Sequence, residues 1–304
     1  MNAQVIRLAI STCPNDTFAF HGLLTGQVDQ RGLEFEIELL DIQQLNEGLF
    51  GDRFDVAKAS FHAALRLSDR TVVLRCGAAL GFGVGPLLLA ADPETTPGEV
   101  ERPQRTSNAI DAEIDADAVS PQVVTLCPGP DTTATLLFQL FYGADLPIRQ
   151  VLFSEIMPAL EAGQAGFGVC IHEGRFTWTS RGLYCVADLG ERWERATGLP
   201  LPLGGILARR DLGESTIRTV QAVIRDSIEY GLAHREQTVS TMKRYAQEFD
   251  RQVLFQHVDL YVNRWTLDLG AEGVSALTEL ARRARAIPSL ESASIEVLER
   301  TKAD

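Results

Sequence analysis

Short apolar runs alternate with stretches of helical spacing along the first two thirds of this chain. The apolar runs predict buried strands, and the stretches between them predict amphipathic helices. Such alternation is typical of parallel α/β units, in which helices cover a sheet. The predicted strands are residues 5–11, 34–40, 71–76, 84–91, 122–126, 148–152, 166–171 and 203–208. The predicted helices are residues 17–25, 42–50, 60–67, 131–141, 154–162 and 212–234.

Two of the predicted strands are typical of crossings between domains. Leu87 to Ala91 leads away from the first α/β block, and Leu203 to Ala208 leads back into a C-terminal third that is almost entirely helical. Two lobes joined by two strands form a cleft that binds ligands and closes by a hinge motion. We therefore expect lobe I to comprise residues 1–91 and 205–304, and lobe II to comprise residues 121–204.

Residues 92–120 do not fit either lobe. They contain eight acidic residues and two arginines, a net charge of −6, and no aromatic residue. Such a segment buries too little apolar area to offset the entropy lost on ordering. We expect a mobile acidic insertion at the surface, and the alternative is a segment that binds a partner.

Composition excludes several classes of function. The 304 residues carry a net charge of −13, which argues against nucleic-acid binding and against docking on anionic membranes. No apolar stretch approaches the roughly 20 residues that span a bilayer, and no basic and apolar leader opens the chain. We therefore expect no membrane insertion and a cytoplasmic location. The five cysteines are widely spaced and form no CxxC pair, so reduced thiols are expected.

The turn after the first predicted strand is the most informative feature of the chain. Residues 11–18 read Ser-Thr-Cys-Pro-Asn-Asp-Thr-Phe, so the proline and asparagine end the strand and Asp16 or Thr17 caps the next helix. Anions and polar ligands bind at such strand–turn–helix junctions of open α/β sheets. The alternative is a capped turn that holds no ligand. The candidate ligand-facing residues are Ser11, Thr12, Asn15 and Asp16.

A second turn of the same kind contains Lys58, Ala59 and Ser60, after a short strand that ends at Ala57. It again places a small hydroxyl side chain at the start of a helix. Ser60 then either faces a ligand or serves only as the helix N-cap, which is the commoner role of a lone serine at such a position.

A third turn, residues 127–134, runs from a Pro/Gly sequence into a predicted helix. Thr132 and Thr133, with the amides that follow, suit a bound carboxylate. The segment is not a phosphate-binding Walker loop, because the lysine and the glycine spacing are missing. A plain capped turn is the alternative here too.

The strand at residues 166–171 ends directly before His172. A histidine at the carboxyl end of a strand titrates near neutral pH and suits proton abstraction, with Glu173 and Arg175 placed to orient it. The alternative is a histidine with a structural hydrogen bond. The other four histidines form no HxxH or HExxH pattern, so we expect no metal site.

These segments together resemble the 1,4-dihydroxy-6-naphthoate synthase family. The resemblance covers nearly the whole chain except the acidic insertion, and its most specific motifs are the first and the fifth. The matching motifs are STCPNDTF at residues 11–18, KASFHA at 58–63, GVGPLL at 83–88, PGPDTTA at 128–134, IHEGRFT at 171–177, and YVN with TLDLG between 261 and 270.

The resemblance implies a two-lobed periplasmic-binding-protein-like fold of type II, without metal or organic cofactor. It implies a lyase of the futalosine route to menaquinone, which converts cyclic dehypoxanthine futalosine to 1,4-dihydroxy-6-naphthoate. It implies that His172 is the general base, and that the substrate, a small aromatic carboxylate, contacts Lys58 to Ser60 and also Thr133 and Ala134.

Two other functions remain as alternatives. One is a non-catalytic protein that binds a small carboxylate, although the missing export signal counts against it. The other is chorismate dehydratase, a sister enzyme with the same fold, against which the CPNDT segment and the sequence around His172 favour the synthase. The turn that holds the carboxylate and a homodimeric state both stay open.

Overall fold

A computed structural model describes residues 3–93, 123–172, 174–245 and 250–300. Of the predicted insertion, residues 94–120 lie outside these ranges. The chain forms two compact units: unit 1 is Met1–Val84 with Thr197–Asp304, and unit 2 is Gly85–Ala196. The boundaries expected from the sequence fall several residues later, at 91 and 204.

Unit 1 contains a mixed six-stranded sheet in which β1 lies between β2 and β3 and is parallel to both. The long strand β11 runs antiparallel to β3, β4 and β5. The expectation of parallel strands is therefore wrong for β11. This strand belongs to the sheet of unit 1, although it follows all of unit 2 along the chain. The strands are β1 Gln4–Ser11, β2 Leu33–Leu40, β3 Val56–Ser60, β4 Thr71–Val73, β5 Ala79–Gly81 and β11 Leu201–Arg209.

The sheet of unit 1 is held by alternating apolar side chains. Ile6, Leu8 and Ile10 are fully buried on one face of β1 and pack against residues such as Ile224 of the long helix α9. The unit's helices are α1 Pro14–Ala19, α2 His21–Leu24, α3 Ile42–Phe50, α4 Phe61–Arg66, α9 Glu214–Ala233, α10 Arg235–Tyr245, α11 Arg251–Tyr261, α12 Arg264–Leu267 and α13 Gly270–Ala284. None of the described helices of either unit has the length and apolarity that crossing a membrane requires.

Unit 2 is built on a second mixed sheet, with the strand order β10-β6-β9-β7-β8. Its central strand β9 is parallel to β7 and antiparallel to β6. The strands are β6 Leu87–Ala90, β7 Thr125–Cys127, β8 Ile148–Gln150, β9 Phe167–Cys170 and β10 Tyr184–Asp188. The helices are α5 Thr133–Tyr142, α6 Phe153–Glu161, α7 Gly174–Thr177 and α8 Leu189–Thr197. The sequence pattern did not predict β10 and α8.

The backbones of Gly85 and Gly190 nearly touch inside unit 2. A Cβ atom built on Gly85 would lie 2.2 Å from Cα of Gly190, and a Cβ atom on Gly190 would lie 2.6 Å from Cα of Gly85. Both neighbours are backbone atoms, so no side chain can turn away to make room. The close approach holds the start of β6 against the start of α8.

Replacing Gly85 by alanine should therefore destabilise the protein by about 1–3 kcal/mol or more, because overpacking forces the backbone to shift. Thermal unfolding of the purified variant measures the effect. Gly51→Ala is the matched control, since its new methyl group would meet nothing closer than 3.5 Å. A melting temperature of Gly85→Ala equal to that of the control would contradict the prediction.

Candidate active site

The turn that opens the chain's first α/β unit begins where β1 ends, at Ser11. The helix α1 starts at Pro14, a favoured first helical residue, with Cys13 in the N-cap position and no side-chain cap. The prediction that Asp16 or Thr17 caps this helix is therefore wrong, because both lie inside it. Ser11 instead accepts a hydrogen bond from the backbone N–H of Cys13, at 3.2 Å.

A buried ion pair lies beside this turn. Nζ of Lys58 is 2.7 Å from Oδ1 of Asp16, and only 5% and 4% of the two side chains are exposed. The same Oδ1 accepts a hydrogen bond from Nδ2 of Asn15 at 2.9 Å. Asp16 thus contacts one side chain of its own motif, Asn15, and one of a second motif, Lys58. The two motifs meet because β1 and β3 are parallel neighbours whose carboxyl ends share one edge of the sheet.

The other oxygen of the same carboxylate has no partner. Oδ2 of Asp16 is buried and makes no hydrogen bond within the described part of the chain. A buried carboxylate oxygen without a donor is costly, so such an atom calls for a hydroxyl group or a water molecule. Asp16 therefore offers a ligand the acceptor Oδ2, while its carboxylate already neutralises the charge of the neighbouring Lys58.

The segment after β4 completes the environment of the lysine. Lys58 donates a second hydrogen bond to the carbonyl of Gly77, at 3.0 Å. Gly77 has a φ of +81°, and a Cβ atom there would lie 2.4 Å from Ile206. The N–H of Gly77 donates to the carbonyl of Thr266, whose own hydroxyl donates to the carbonyl of Ala78. The C-terminal motif around Thr266 thus supports the loop that holds Lys58.

Ser60 ends β3 and occupies the N-cap position of α4, but its side chain makes no capping bond. Instead it pairs with Asn46 of α3, which is completely buried. Oδ1 of Asn46 accepts from the backbone N–H of Ser60 at 3.0 Å, and its Nδ2 donates to Oγ of Ser60 at 3.2 Å. Ala59 lies between Lys58 and Ser60 and is fully buried in the sheet. The sequence reasoning missed Asn46, which no local motif marks.

In unit 2, Thr132 caps α5. Its hydroxyl accepts from the N–H of Thr135 and donates to the carbonyl of Gly129 at 2.8 Å. Thr133 and Ala134 are the first two residues of the helix and are nearly buried, at 3% and 4% exposure. The first amides of a helix have no partner within it, and no acidic residue lies in this first turn. The N-terminus of α5 is therefore suited to a carboxylate.

His172 follows β9 after one residue. Its φ is +54°, a left-handed conformation that is uncommon for residues other than glycine. Its ring packs edge-on against Phe153, with 4.9 Å between the ring centres. The short helix α7 begins two residues later, at Gly174. Glu173 lies outside the described residues.

The segment after His172 is anchored within unit 2. Arg175 donates to Asp188 at 2.6 Å and to the carbonyl of Gly85 at 2.8 Å. Asp188 also accepts from the N–H of Gly190 at the start of α8. Arg175, which the sequence placed to orient His172, is thus paired with an aspartate that the sequence did not mark.

Two cysteines lie on strands beside these turns, and neither thiol is suited to nucleophilic chemistry. Burial raises the pKa of Cys127 and of Cys170 to about 12, so both stay protonated at neutral pH. Over the described ranges no group of three His, Cys, Asp or Glu residues is placed to hold a metal ion. Among the described residues that the sequence singled out, the imidazole of His172 in unit 2 and the ion pair, hydroxyl and amides described above offer groups for chemistry.

The fold places the chain in a known class of α/β proteins. It aligns with the alkanesulfonate-binding protein SsuA from Xanthomonas axonopodis pv. citri with a TM-score of 0.65 at 12% identity, over 98% of this chain and 97% of that one. It aligns with protein AF1704 from Archaeoglobus fulgidus with a TM-score of 0.81 at 28% identity, over 95% and 100% of the two chains. The predicted periplasmic-binding-protein-like fold is confirmed.

Sequence comparison identifies the family. Residues 6–286 match the family model described as menaquinone biosynthesis, and the chain belongs to this family. A 1,4-dihydroxy-6-naphthoate synthase from Thermus thermophilus is 40% identical over 93% of this chain and 95% of its own length. A second one, from Streptomyces coelicolor, is 36% identical over 95% and 97%. The family resemblance predicted from the motifs is confirmed.

Proposed function

We propose that this protein is a lyase that converts cyclic dehypoxanthine futalosine to 1,4-dihydroxy-6-naphthoate. The observation that carries the proposal is the 40% identity to a synthase of that name over 93% of the chain. The buried ion pair of Asp16 and Lys58 and the turn at His172 are the parts of the structure that support it. The location that fits this proposal is the cytoplasm.

His172 is the proposed general base. It takes a proton from the substrate, and the sugar-like ring opens. Cleavage of a carbon–carbon bond then releases the aromatic product together with the remaining carbons of that ring, and the protonated imidazole returns its proton. Aromatisation supplies the driving force, so the protein needs chiefly a positioned base and a substrate held in place. The position of His172 just beyond the carboxyl end of β9 supports this role, and its ring is held by the contact with Phe153.

The proposed substrate contacts divide by charge and by hydrogen-bonding character. Asp16 neutralises Lys58, so this part of unit 1 suits the hydroxyl and carbonyl groups of the sugar-like ring, which face Asn15, Asp16, Lys58 and Ser60. The first turn of α1 already contains a carboxylate, that of Asp16, whereas the first turn of α5 contains none. We therefore assign the substrate carboxylate to the amides and hydroxyl at Thr133 and Ala134, while Thr132 shapes the turn as its cap.

One assay tests the function. The purified protein is offered cyclic dehypoxanthine futalosine and chorismate separately, and the products are identified by mass spectrometry. We expect dihydroxynaphthoate from the first compound and no reaction of the second. Loss of water from chorismate would instead identify a chorismate dehydratase. Tight binding of the carboxylate without turnover of either compound would indicate a binding protein.

The carboxylate assignment has its own test. Thr133→Val keeps the shape of the side chain but removes its hydroxyl group, so a buried carboxylate loses one donor at a cost of about 1–3 kcal/mol. The dissociation constant of the product should rise by about ten- to a hundredfold in isothermal titration calorimetry. The control is Thr278→Val, at an exposed position of α13 where the hydroxyl only donates to its own helix. An unchanged constant for Thr133→Val would place the carboxylate elsewhere.

A further inference from the structure

The pair formed by Asn46 and Ser60 fixes the direction of one hydrogen bond. A backbone N–H can only donate, so the atom of Asn46 that faces the N–H of Ser60 is the amide oxygen. The amide nitrogen of Asn46 therefore faces Oγ of Ser60, and since it too can only donate, Oγ acts as the acceptor. The backbone N–H of Ser60 thus fixes the orientation of the Asn46 amide.

The proton of the Ser60 hydroxyl is left for another acceptor. Ser60 does not cap α4, and within the described residues no oxygen accepts this proton. Ser60 is only 4% exposed, so bulk water does not readily serve as the acceptor. A nearly buried hydroxyl group that already receives one hydrogen bond thus presents its donor side to whatever occupies the site.

The position of Ser60 on its strand shows where this donor lies. Side chains two residues apart leave a strand on the same face, so Ser60 and Lys58 emerge on one side of β3. Lys58 contacts Asp16, whose second oxygen lacks a donor. One edge of the sheet therefore carries an unused donor, the hydroxyl of Ser60, and an unused acceptor, Oδ2 of Asp16. Together they match a ligand that has both an acceptor oxygen and a hydroxyl group.

We propose that Asn46 is a positioning residue that holds the Ser60 hydroxyl as a hydrogen-bond donor to an acceptor oxygen of the substrate. The proposal rests on the function proposed above for the identity of the substrate. Asn46 does not touch the substrate. It acts by donating to Oγ of Ser60, so that the hydroxyl proton of the serine points to the substrate. The acceptor is a carbonyl or ether oxygen of the substrate, and a hydroxyl proton of the substrate pairs with Oδ2 of Asp16.

Two substitutions and their combination test the proposal. In Asn46→Asp, both carboxylate oxygens accept, one from the N–H of Ser60 and the other from its hydroxyl, so the hydroxyl turns away from the substrate. Ser60→Ala removes the hydroxyl altogether. Each single variant should raise KM about tenfold, because one substrate oxygen loses its donor. The factor by which KM rises should exceed the factor by which kcat falls. The double variant should be no worse than Ser60→Ala.

The outcomes separate this role from a structural one. Effects of Asn46→Asp and Ser60→Ala that multiply in the double variant would overturn the proposal, because Asn46 would then act independently of the serine. If Asn46→Asp does not fold, Ser60→Ala alone decides, since an unchanged KM overturns the proposal. The matched control is Ser227→Ala, a buried serine that bonds Leu23 and Ala19, for which we expect the wild-type KM.

The same experiment distinguishes this proposal from the proposed function. Wild-type protein that does not convert cyclic dehypoxanthine futalosine would overturn both, because no substrate oxygen of that compound would then be bound productively. Wild-type turnover with an unchanged KM in Ser60→Ala would overturn the role of Asn46 and Ser60 while the function stands.

Discussion

Replacing His172 by alanine is expected to lower kcat by about 100- to 10,000-fold, the usual contribution of a positioned general base. The ring is only half-buried and packs against the single aromatic side chain of Phe153, so its loss leaves the core of unit 2 intact. Steady-state turnover of cyclic dehypoxanthine futalosine measures kcat, and circular dichroism shows that the variant is folded.

Two variants control for the backbone and for general effects of losing a histidine. Asparagine tolerates a positive φ better than alanine does, so His172→Asn should be just as inactive without the strain of a φ of +54°. His234→Ala removes an exposed histidine that stacks on Tyr230, and its kcat should stay within about twofold of the wild type. Near wild-type turnover in both His172 variants would refute the assignment of the base.

The substitution Asp16→Asn should destabilise the protein by about 3–5 kcal/mol, because it leaves the buried ammonium of Lys58 without its counter-ion. Lys58 and Asn15 both donate to Oδ1, so the new amide oxygen stays there and the new NH₂ group replaces Oδ2. An acceptor becomes a donor, and kcat/KM should fall as well. Urea unfolding and steady-state kinetics measure the two effects.

The double variant Asp16→Asn/Lys58→Met provides the internal control. It removes both charges, and replacing a whole buried ion pair by groups of similar volume is often nearly neutral. The double variant should therefore be more stable than Asp16→Asn alone. Asp226→Asn breaks an exposed pair with Arg31 and should cost no more than about 1 kcal/mol. If Asp16→Asn and Asp226→Asn lower the free energy of unfolding equally, the buried ion pair contributes no more to stability than a surface ion pair.

The sequence predicted the elements that have a strong local pattern. The strand before the first turn extends over Gln4–Ser11, close to the predicted 5–11, because residues 5–10 form an apolar run that only Arg7 interrupts. The helix predicted at 212–234 is observed at Glu214–Ala233, because its buried residues recur every three or four positions. The predicted helix at 17–25 is instead two short helices, and proline at the first helical position started the first of them earlier than predicted.

Features that depend on distant partners could not be predicted. Asp188 is the last residue of the half-exposed strand β10, and only the folded chain places it against Arg175. Asn46 lies in a helix with an ordinary amphipathic pattern, and its contact with Ser60 joins two neighbouring elements across the interior. The motifs marked Lys58 and Asp16 separately, but their pairing follows from the order of the strands, which a single sequence does not contain.

The order of the strands also has a consequence for synthesis of the chain. Unit 2 is one continuous segment, Gly85–Ala196, whereas unit 1 is assembled from two segments on either side of it. The strand β11 lies between β3 and β4 in the sheet of unit 1, yet a ribosome makes it only after all of unit 2. Until then β3 lacks the neighbour on one of its sides. Translation therefore favours an order in which unit 2 folds first and the sheet of unit 1 closes last.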